Sequence, residues 1–395
     1  KAEFTKFRLI SNDLSLIFGL LKRLLSCVSS QEKHLIWTTF CNKGPLILAH
    51  FRKNHTWYWF PYAERCFYGR ARDRGSLLQN VVHLKVAHAG QKLLRSNISI
   101  APDFSFDVES WDNEKDGPIP KEKLVELIRG KFGIVINSAQ TIDRDVIAVG
   151  APSLRVVSTV STGVDNVDLR ALREHDIRLG YTCDANKEAT AELTVALLLM
   201  TSRKIVQGMA AVKSGKWDST LNHPWYNGQG LHDSTVGIVG YGQIGHSVAM
   251  KLKSFLPKQI LYTSQKEKPE GTEIGAKFTA LDTLLRSSDF VVLTIALTSE
   301  TKGILSRDKI ALMKKNAILV NTGRGALLDQ DALTEALEQK KILGAGLDVM
   351  TPEPLPPDHP LQRLENCVIL PHMGWASSKS REDMFRIAAN NVIAV

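Results

Sequence analysis

The chain has 395 residues, 44% of them hydrophobic and 23% charged, with 50 Lys+Arg against 41 Asp+Glu for a formal net charge of +9. That length suits two domains at roughly 100–200 residues each, and the balance is that of a globular protein rather than a disordered, collagenous or membrane-spanning one. Five cysteines (Cys27, Cys41, Cys66, Cys183, Cys367) are odd in number and widely spaced, so neither a disulfide framework nor a zinc site is expected, and no metal is assigned.

The positive charge is concentrated at one end. Residues 1–80 hold 13 Lys+Arg against 5 Asp+Glu, whereas the other 315 residues are within one charge of neutral. This segment also carries the runs Trp57-Tyr58-Trp59-Phe60 and Arg70-Ala71-Arg72-Asp73-Arg74. A single-stranded nucleic-acid patch or a targeting extension would use such residues, but an extension without a folded role is preferred, and no nucleic-acid partner is expected. The longest apolar stretch, Leu14 to Leu25, is interrupted by Lys22 and Arg23 and is too short to span a bilayer. The chain opens at Lys1 rather than Met, so its start is expected to be incomplete.

From Val81 onward, short apolar strands alternate with amphipathic helices. Helices are expected at Lys121–Arg129 and Asp165–Glu174, between strands at Ile134–Ile136, Leu154–Val157 and Ile177–Leu179. A long apolar helix then runs from Glu188 to about Lys213; being hydrophobic on more than one face, it should be buried between domains or subunits. Strands follow at Val236–Val239, Ile260–Tyr262, Phe290–Leu293, Ala317–Val320, Gly344–Val349 and Cys367–Leu370. Repeated βα alternation implies parallel sheets with helices on both faces.

Thr235 to Gly245 reads as a strand entering G-x-G-x-x-G and then a helix. Gly240 permits the tight turn, Gly242 admits a pyrophosphate to the backbone, and Gly245 allows close helix–strand packing, with the helix N-terminus facing the phosphates. An NAD-binding strand would end in an acid about 20 residues on. Here stand Tyr262-Thr263-Ser264-Gln265 and then Lys266 and Lys268, so hydroxyls and ammonium groups replace the carboxylate. NADP(H) is therefore preferred, with NAD(H) possible.

Three further motifs sit at the C-terminal ends of expected strands. Arg324, in Asn321-Thr322-Gly323-Arg324-Gly325, offers a permanent cation to a substrate carboxylate. His372, in Pro371-His372-Met373-Gly374, is suited to proton transfer near neutral pH. Glu353, in the Gly346–Pro354 stretch, would favour the imidazolium if it lay beside that histidine.

These residues resemble the D-isomer-specific 2-hydroxyacid dehydrogenases, most closely the glyoxylate/hydroxypyruvate reductases, over roughly Gly90 to Val395; Gly346 to His372 is the most specific part. The resemblance implies that Arg324, Glu353 and His372 form the catalytic set. It also implies that Ser161, Thr162 and Gly163, within Ser161 to Asp165, cradle the substrate carboxylate. Gly242, Gln243 and Ile244 would touch the pyrophosphate, Gln265 to Lys268 the adenosine ribose phosphate, and Ala296, Thr322, Asp348 and Gly374 the nicotinamide side. The chain departs from the family at Trp375, where Ser or Ala is usual beside the histidine, at Asn166, often His, and at Cys183, often Pro. It stops at Val395, inside what the resemblance makes the last helix.

The resulting expectation is two Rossmann-like domains with an interdomain cleft. A flavodoxin-like substrate domain spans 81–185 and is completed by 375–395. An NAD(P)-binding doubly wound parallel sheet spans 186–374, and 1–80 is an extension of unclear role. The expected activity is NADPH-dependent reduction of glyoxylate or hydroxypyruvate by a cytoplasmic homodimer joined through its coenzyme domain. An NAD-linked relative such as phosphoglycerate dehydrogenase, or a nucleotide-sensing corepressor-like protein of the same fold, are the alternatives.

Overall fold

The computed structural model describes residues 119–217 and 227–395 without a break, residues 106–111, and strands at 48–49, 52–53, 56–57, 60–61, 67–68 and 82–86. The chain divides into two units at Arg65 and Cys66. In the first, Leu48–Ala49 pairs antiparallel with Phe60–Pro61, and Arg52–Lys53 with Thr56–Trp57. The basic run Arg70–Arg74 lies outside the described residues.

The second unit contains two sheets. In the smaller one the strands lie in the order Phe106–Ser110, Val82–Val86, Gly133–Ile136, Val156–Thr159 and Arg178–Tyr181, all parallel. Numbered along the chain, this is the 2-1-3-4-5 winding of flavodoxin-like sheets. Phe67–Tyr68 adds an antiparallel edge to Arg178–Tyr181, so the sheet takes two residues from the segment that composition sets apart.

The larger sheet has seven parallel strands in the order Lys277–Phe278, Gln259–Thr263, Thr235–Val239, Phe290–Leu293, Ile318–Asn321, Gly344–Leu347 and Cys367–Ile369. Winding reverses between Thr235–Val239 and Phe290–Leu293, and a doubly wound sheet opens its ligand crevice at that switch point. The central strands are fully buried, as Thr235–Val239, Phe290–Leu293 and Ile318–Asn321 illustrate. Their unbroken Val/Ile/Leu runs are what helices on both faces demand.

Boundaries shift where local chemistry decides them. The helix expected from Asp165 begins only at Leu169, because the Asp168 side chain caps it by accepting the Ala171 N–H at 2.8 Å. The strand expected at Leu154–Val157 starts at Val156, since Leu154 is buried in the turn that closes the preceding helix.

The single helix expected over 188–213 is two, Lys187–Ser202 and Ile205–Lys213, bent by 65° where Lys204 takes a left-handed φ of 52°. The first packs on the larger sheet with Leu197 and Leu198 buried. The second buries none of its residues within this chain, so a single continuous helix is the corrected expectation, and only its first part is covered by the protein's own sheet. No single described helix is long and apolar enough to cross a membrane. Of the two described cysteines, Cys367 is free and Cys183 is disulfide-bonded, a bond that sequence spacing did not suggest.

After the last strand of the larger sheet the chain crosses back. Helix Ser378–Ile393 lays Phe385, Ala388, Ala389 and Val392 against Val135 and Val156 of the smaller sheet. Ser158 Oγ donates to the Ala388 carbonyl at 3.0 Å, and Asn391 Nδ2 to the Tyr181 carbonyl at 3.2 Å.

Candidate active site

The glycine turn lies at the switch point. Gly240 has φ +95°, and a Cβ there would lie 2.5 Å from the Ile295 backbone just beyond the neighbouring strand. A Cβ at Gly245 would lie 2.1 Å from the Gly240 carbonyl oxygen, whereas one at Gly242 would meet nothing within 4 Å. The first and third glycines are thus required by packing, and the second leaves open space beside the backbone at the start of helix Gln243–Lys253. That helix has no side-chain cap, so its first amides suit an anion such as a dinucleotide pyrophosphate. Gly242 and Gln243 are exposed there and Ile244 is half-buried.

Thr263 ends the adjoining strand, and its carbonyl accepts the Gly240 N–H at 3.0 Å. Beyond it Gln265 and Lys266 are exposed, and Ser264 and Lys268 partly so. Buried Tyr262 stacks on Tyr241 at 4.0 Å between ring centroids and fixes the loop by accepting the Lys268 N–H at 2.9 Å.

Three neighbouring strands supply the remaining machinery from their C-terminal ends. After Ile318–Asn321, the buried Asn321 side chain accepts the Gly323 N–H at 3.0 Å and donates to the Arg324 carbonyl at 2.9 Å. This clasp directs the Arg324 side chain across the cleft. Its Nε lies 3.2 and 3.3 Å from the two Asp165 carboxylate oxygens, and its Nη1 donates to the Gly323 carbonyl at 3.0 Å.

After Gly344–Leu347, Asp348 is 1% exposed and accepts the backbone N–H groups of Met373 and Gly374, each at 2.8 Å. Burial pushes its carboxyl above the usual range despite those bonds. Glu353 accepts the Met350 N–H at 2.9 Å and meets His372 Nδ1 at 2.7 Å. Burial alone would raise the Glu353 carboxyl. The hydrogen bond and charge of His372, with the Met350 N–H and Arg324, outweigh it and hold the group below its usual range. His372 itself has φ 52°, a conformation that a non-glycine residue keeps only where its surroundings over-determine it. Asp348 on one side and Glu353 on the other provide that constraint.

One cavity brings the expected residues together. Ser161, Thr162, Gly163, Arg324, His372 and Trp375 line it, and Ile244, Thr322, Asp348 and Gly374 continue its wall. Ala296 lies in the exposed loop after Phe290–Leu293 and is not among the lining residues. Sequence reasoning missed Asn137, Asn186, Arg381 and Phe385, which also line the cavity, because they arrive from distant parts of the chain. Thr162 Oγ1 donates to Asn186 Oδ1 at 2.6 Å, and Asn166 Nδ2 braces the Asn137–Gln140 loop through the Asn137 and Gln140 carbonyls at 3.2 and 2.6 Å.

Comparison with known proteins defines the family. Residues 195–374 match the D-isomer specific 2-hydroxyacid dehydrogenase NAD binding domain. The glyoxylate reductase/hydroxypyruvate reductase of Mus musculus is 41% identical over 312 residues, covering 79% of this chain and 94% of its own. The crystal structure of a glyoxylate reductase from Paecilomyes thermophila superposes with a TM-score of 0.70 at 27% identity, over 80% of this chain and 95% of that one. An acyclic imino acid reductase solved with NADPH and D-Arg gives 0.67 at 26% identity, over 77% and 94%.

A doubly wound nucleotide sheet facing a second parallel sheet across a cavity is the build of an NAD(P)-dependent oxidoreductase. The chain belongs to the D-isomer specific 2-hydroxyacid dehydrogenase family, and within it is glyoxylate reductase-like.

Gly242→Ala tests the open space at the turn. Since a Cβ there touches no protein atom, thermal stability should stay unchanged while dinucleotide affinity falls about tenfold or more, as a close backbone approach is lost. Unaltered affinity in a fluorescence titration would mean that the pyrophosphate lies elsewhere.

Proposed function

We propose that this enzyme reduces glyoxylate or hydroxypyruvate to the D-2-hydroxy acid, with NADPH preferred over NADH. The observation that carries the reading is the shared cavity, in which the Arg324 guanidinium lies against Gly163 of the opposite lobe beside the His372–Glu353 pair. Arg324 would hold the substrate carboxylate with charge-assisted, bidentate geometry. Glu353 occupies Nδ1 of His372, which leaves Nε2 to protonate the carbonyl oxygen as it becomes an alkoxide. A reduced nicotinamide bound at the glycine turn, with Thr322, Asp348 and Gly374 on its side of the cavity, would supply the hydride equivalent. Exclusion of water from the cleft would strengthen both the carboxylate clamp and the proton donor.

NADPH preference is supported by the turn after Thr263. No carboxylate ends that strand, and Lys266 and Lys268 flank Glu267 where a ribose 2′-phosphate would lie. A homodimer is supported by helix Ile205–Lys213. Its Ile205, Val206, Met209 and Val212 are 41, 39, 52 and 57% exposed, and Ile205, Met209 and Val212 share one helix face by their spacing, an apolar surface of the kind that marks an interface.

NADPH should give a higher kcat/KM than NADH, and combining Lys266→Ala with Lys268→Ala should weaken NADPH alone, by about 10- to 150-fold for a lost charge-assisted contact of about 1.5–3 kcal/mol. Equal or better kcat/KM with NADH would overturn the preference. Met209→Asp should convert a dimer to monomers in light scattering, because it buries an unpaired charge; a wild-type monomer would refute the interface.

His372→Asn should cut kcat by about 10²–10⁴-fold, the usual worth of a positioned acid, with little change in coenzyme affinity. Glu353→Gln should be milder: the carboxyl held below its usual range is ionised at neutral pH, and its loss removes the charge that holds His372 Nδ1 while leaving the ring in place. Unchanged kcat would show that Glu353 only anchors its loop.

A further inference from the structure

We infer that Asp165 is a positioning residue for the substrate carboxylate, gripping the Nε edge of Arg324 from the opposite lobe so that the rest of the guanidinium is presented over Gly163. The inference rests on the reading of Arg324 as the carboxylate clamp. A guanidinium has five N–H groups. The one on Nε faces both Asp165 oxygens at 3.2 and 3.3 Å, and Nη1 gives one to the Gly323 carbonyl at 3.0 Å. Both N–H groups of Nη2 and the second of Nη1 remain, and these form the fork that pairs with a carboxylate.

Gly163 fixes where that fork lies. A Cβ at this position would fall 2.1 Å from Arg324 Nη2 and 2.8 Å from Asp165 Oδ1, so the glycine makes room for the arginine and its partner together. The two partners come from different lobes, 159 residues apart in sequence. Asp165 serves no helix end, unlike Asp168, whose carboxylate accepts the Ala171 N–H. Among the described residues, Arg324 is the partner of its carboxylate.

Stability does not account for the pair. With side chains 24% and 32% exposed, an ion pair contributes little to folding. A carboxylate beside an anion-binding site also repels the substrate, so Asp165 costs binding unless its hold on Arg324 returns more. Orientation can return more, because a misplacement of about 1 Å at a clamping residue can cost on the order of 10²-fold in rate.

The test uses the whole chain with NADPH, comparing Asp165→Ala, Asp165→Asn and Arg324→Gln alone and Asp165→Ala combined with Arg324→Gln. Asp165→Ala should raise the glyoxylate KM about tenfold and lower kcat by a similar factor, as expected for a mispositioned clamp, with NADPH affinity and Tm unchanged. Asp165→Asn keeps one acceptor for Nε and the same shape, and should recover part of the loss. In the Arg324→Gln background, removing Asp165 should change kcat/KM less than about twofold, since residues acting through one another are non-additive. A lower KM in Asp165→Ala would make Asp165 a competitor for Arg324 and overturn the inference. So would an undiminished effect without Arg324, or losses of Tm and NADPH affinity that accompany the kinetic change. If Arg324→Gln alone keeps full kcat/KM, the clamp reading fails. If it loses activity while Asp165→Ala does not, only the positioning role fails.

Discussion

Parallel strands end together, and the candidate active site depends on that constraint. All seven strands of the larger sheet run in one direction, so the loops carrying the glycine turn, Arg324, Asp348 with Glu353, and His372 leave from one edge. The smaller sheet obeys the same rule and delivers Ser161 to Asp165 from the end of Val156–Thr159. Neither sheet makes a complete site. The cavity exists because the two edges face one another and the Arg324 side chain reaches from one to Gly163 and Asp165 on the other.

Within the larger edge, rigidity is built in layers. Asn321 clasps the loop that carries Arg324, Asp348 holds the backbone of the residues after His372, and Glu353 fixes one ring nitrogen. Each of the three accepts backbone N–H groups, from Gly323, from Met373 and Gly374, and from Met350, and so orients a loop. Burial makes that service costly for Asp348, whose carboxyl is pushed up, and two short N–H bonds offset part of the cost. The histidine therefore sits in an unfavourable backbone conformation that its neighbours enforce.

Local signals made much of this legible. The glycine turn, the basic turn after Thr263 and the order of the Arg, Glu and His motifs can be read because each is set by neighbours a few residues away. Strand identity followed from unbroken apolar runs, and both windings agree with repeated βα units. What escaped was set at a distance or by a single torsion. Lys204 adopts a left-handed φ that no propensity announces, so one apolar stretch became two helices with opposite exposure. Asn186, Arg381 and Phe385 reach the cavity through tertiary contacts, and the sequence places Asp165 at the end of the Ser161–Asp165 segment without showing that its carboxylate meets Arg324.

The helix Ser378–Ile393 bears on how the protein is made. The hydrogen bond from Ser158 to Ala388 joins residues 230 positions apart, so one face of the smaller sheet stays bare until helix Ser378–Ile393 has been synthesised. The larger sheet has all its strands by Ile369 and can close earlier. During translation, the nucleotide half is thus able to mature while its partner waits with Val135 and Val156 uncovered, and long-range closure of this kind is slow and aggregation-exposed. Emergence of helix Ser378–Ile393, rather than of the strands themselves, is the moment at which the smaller sheet gains its cover.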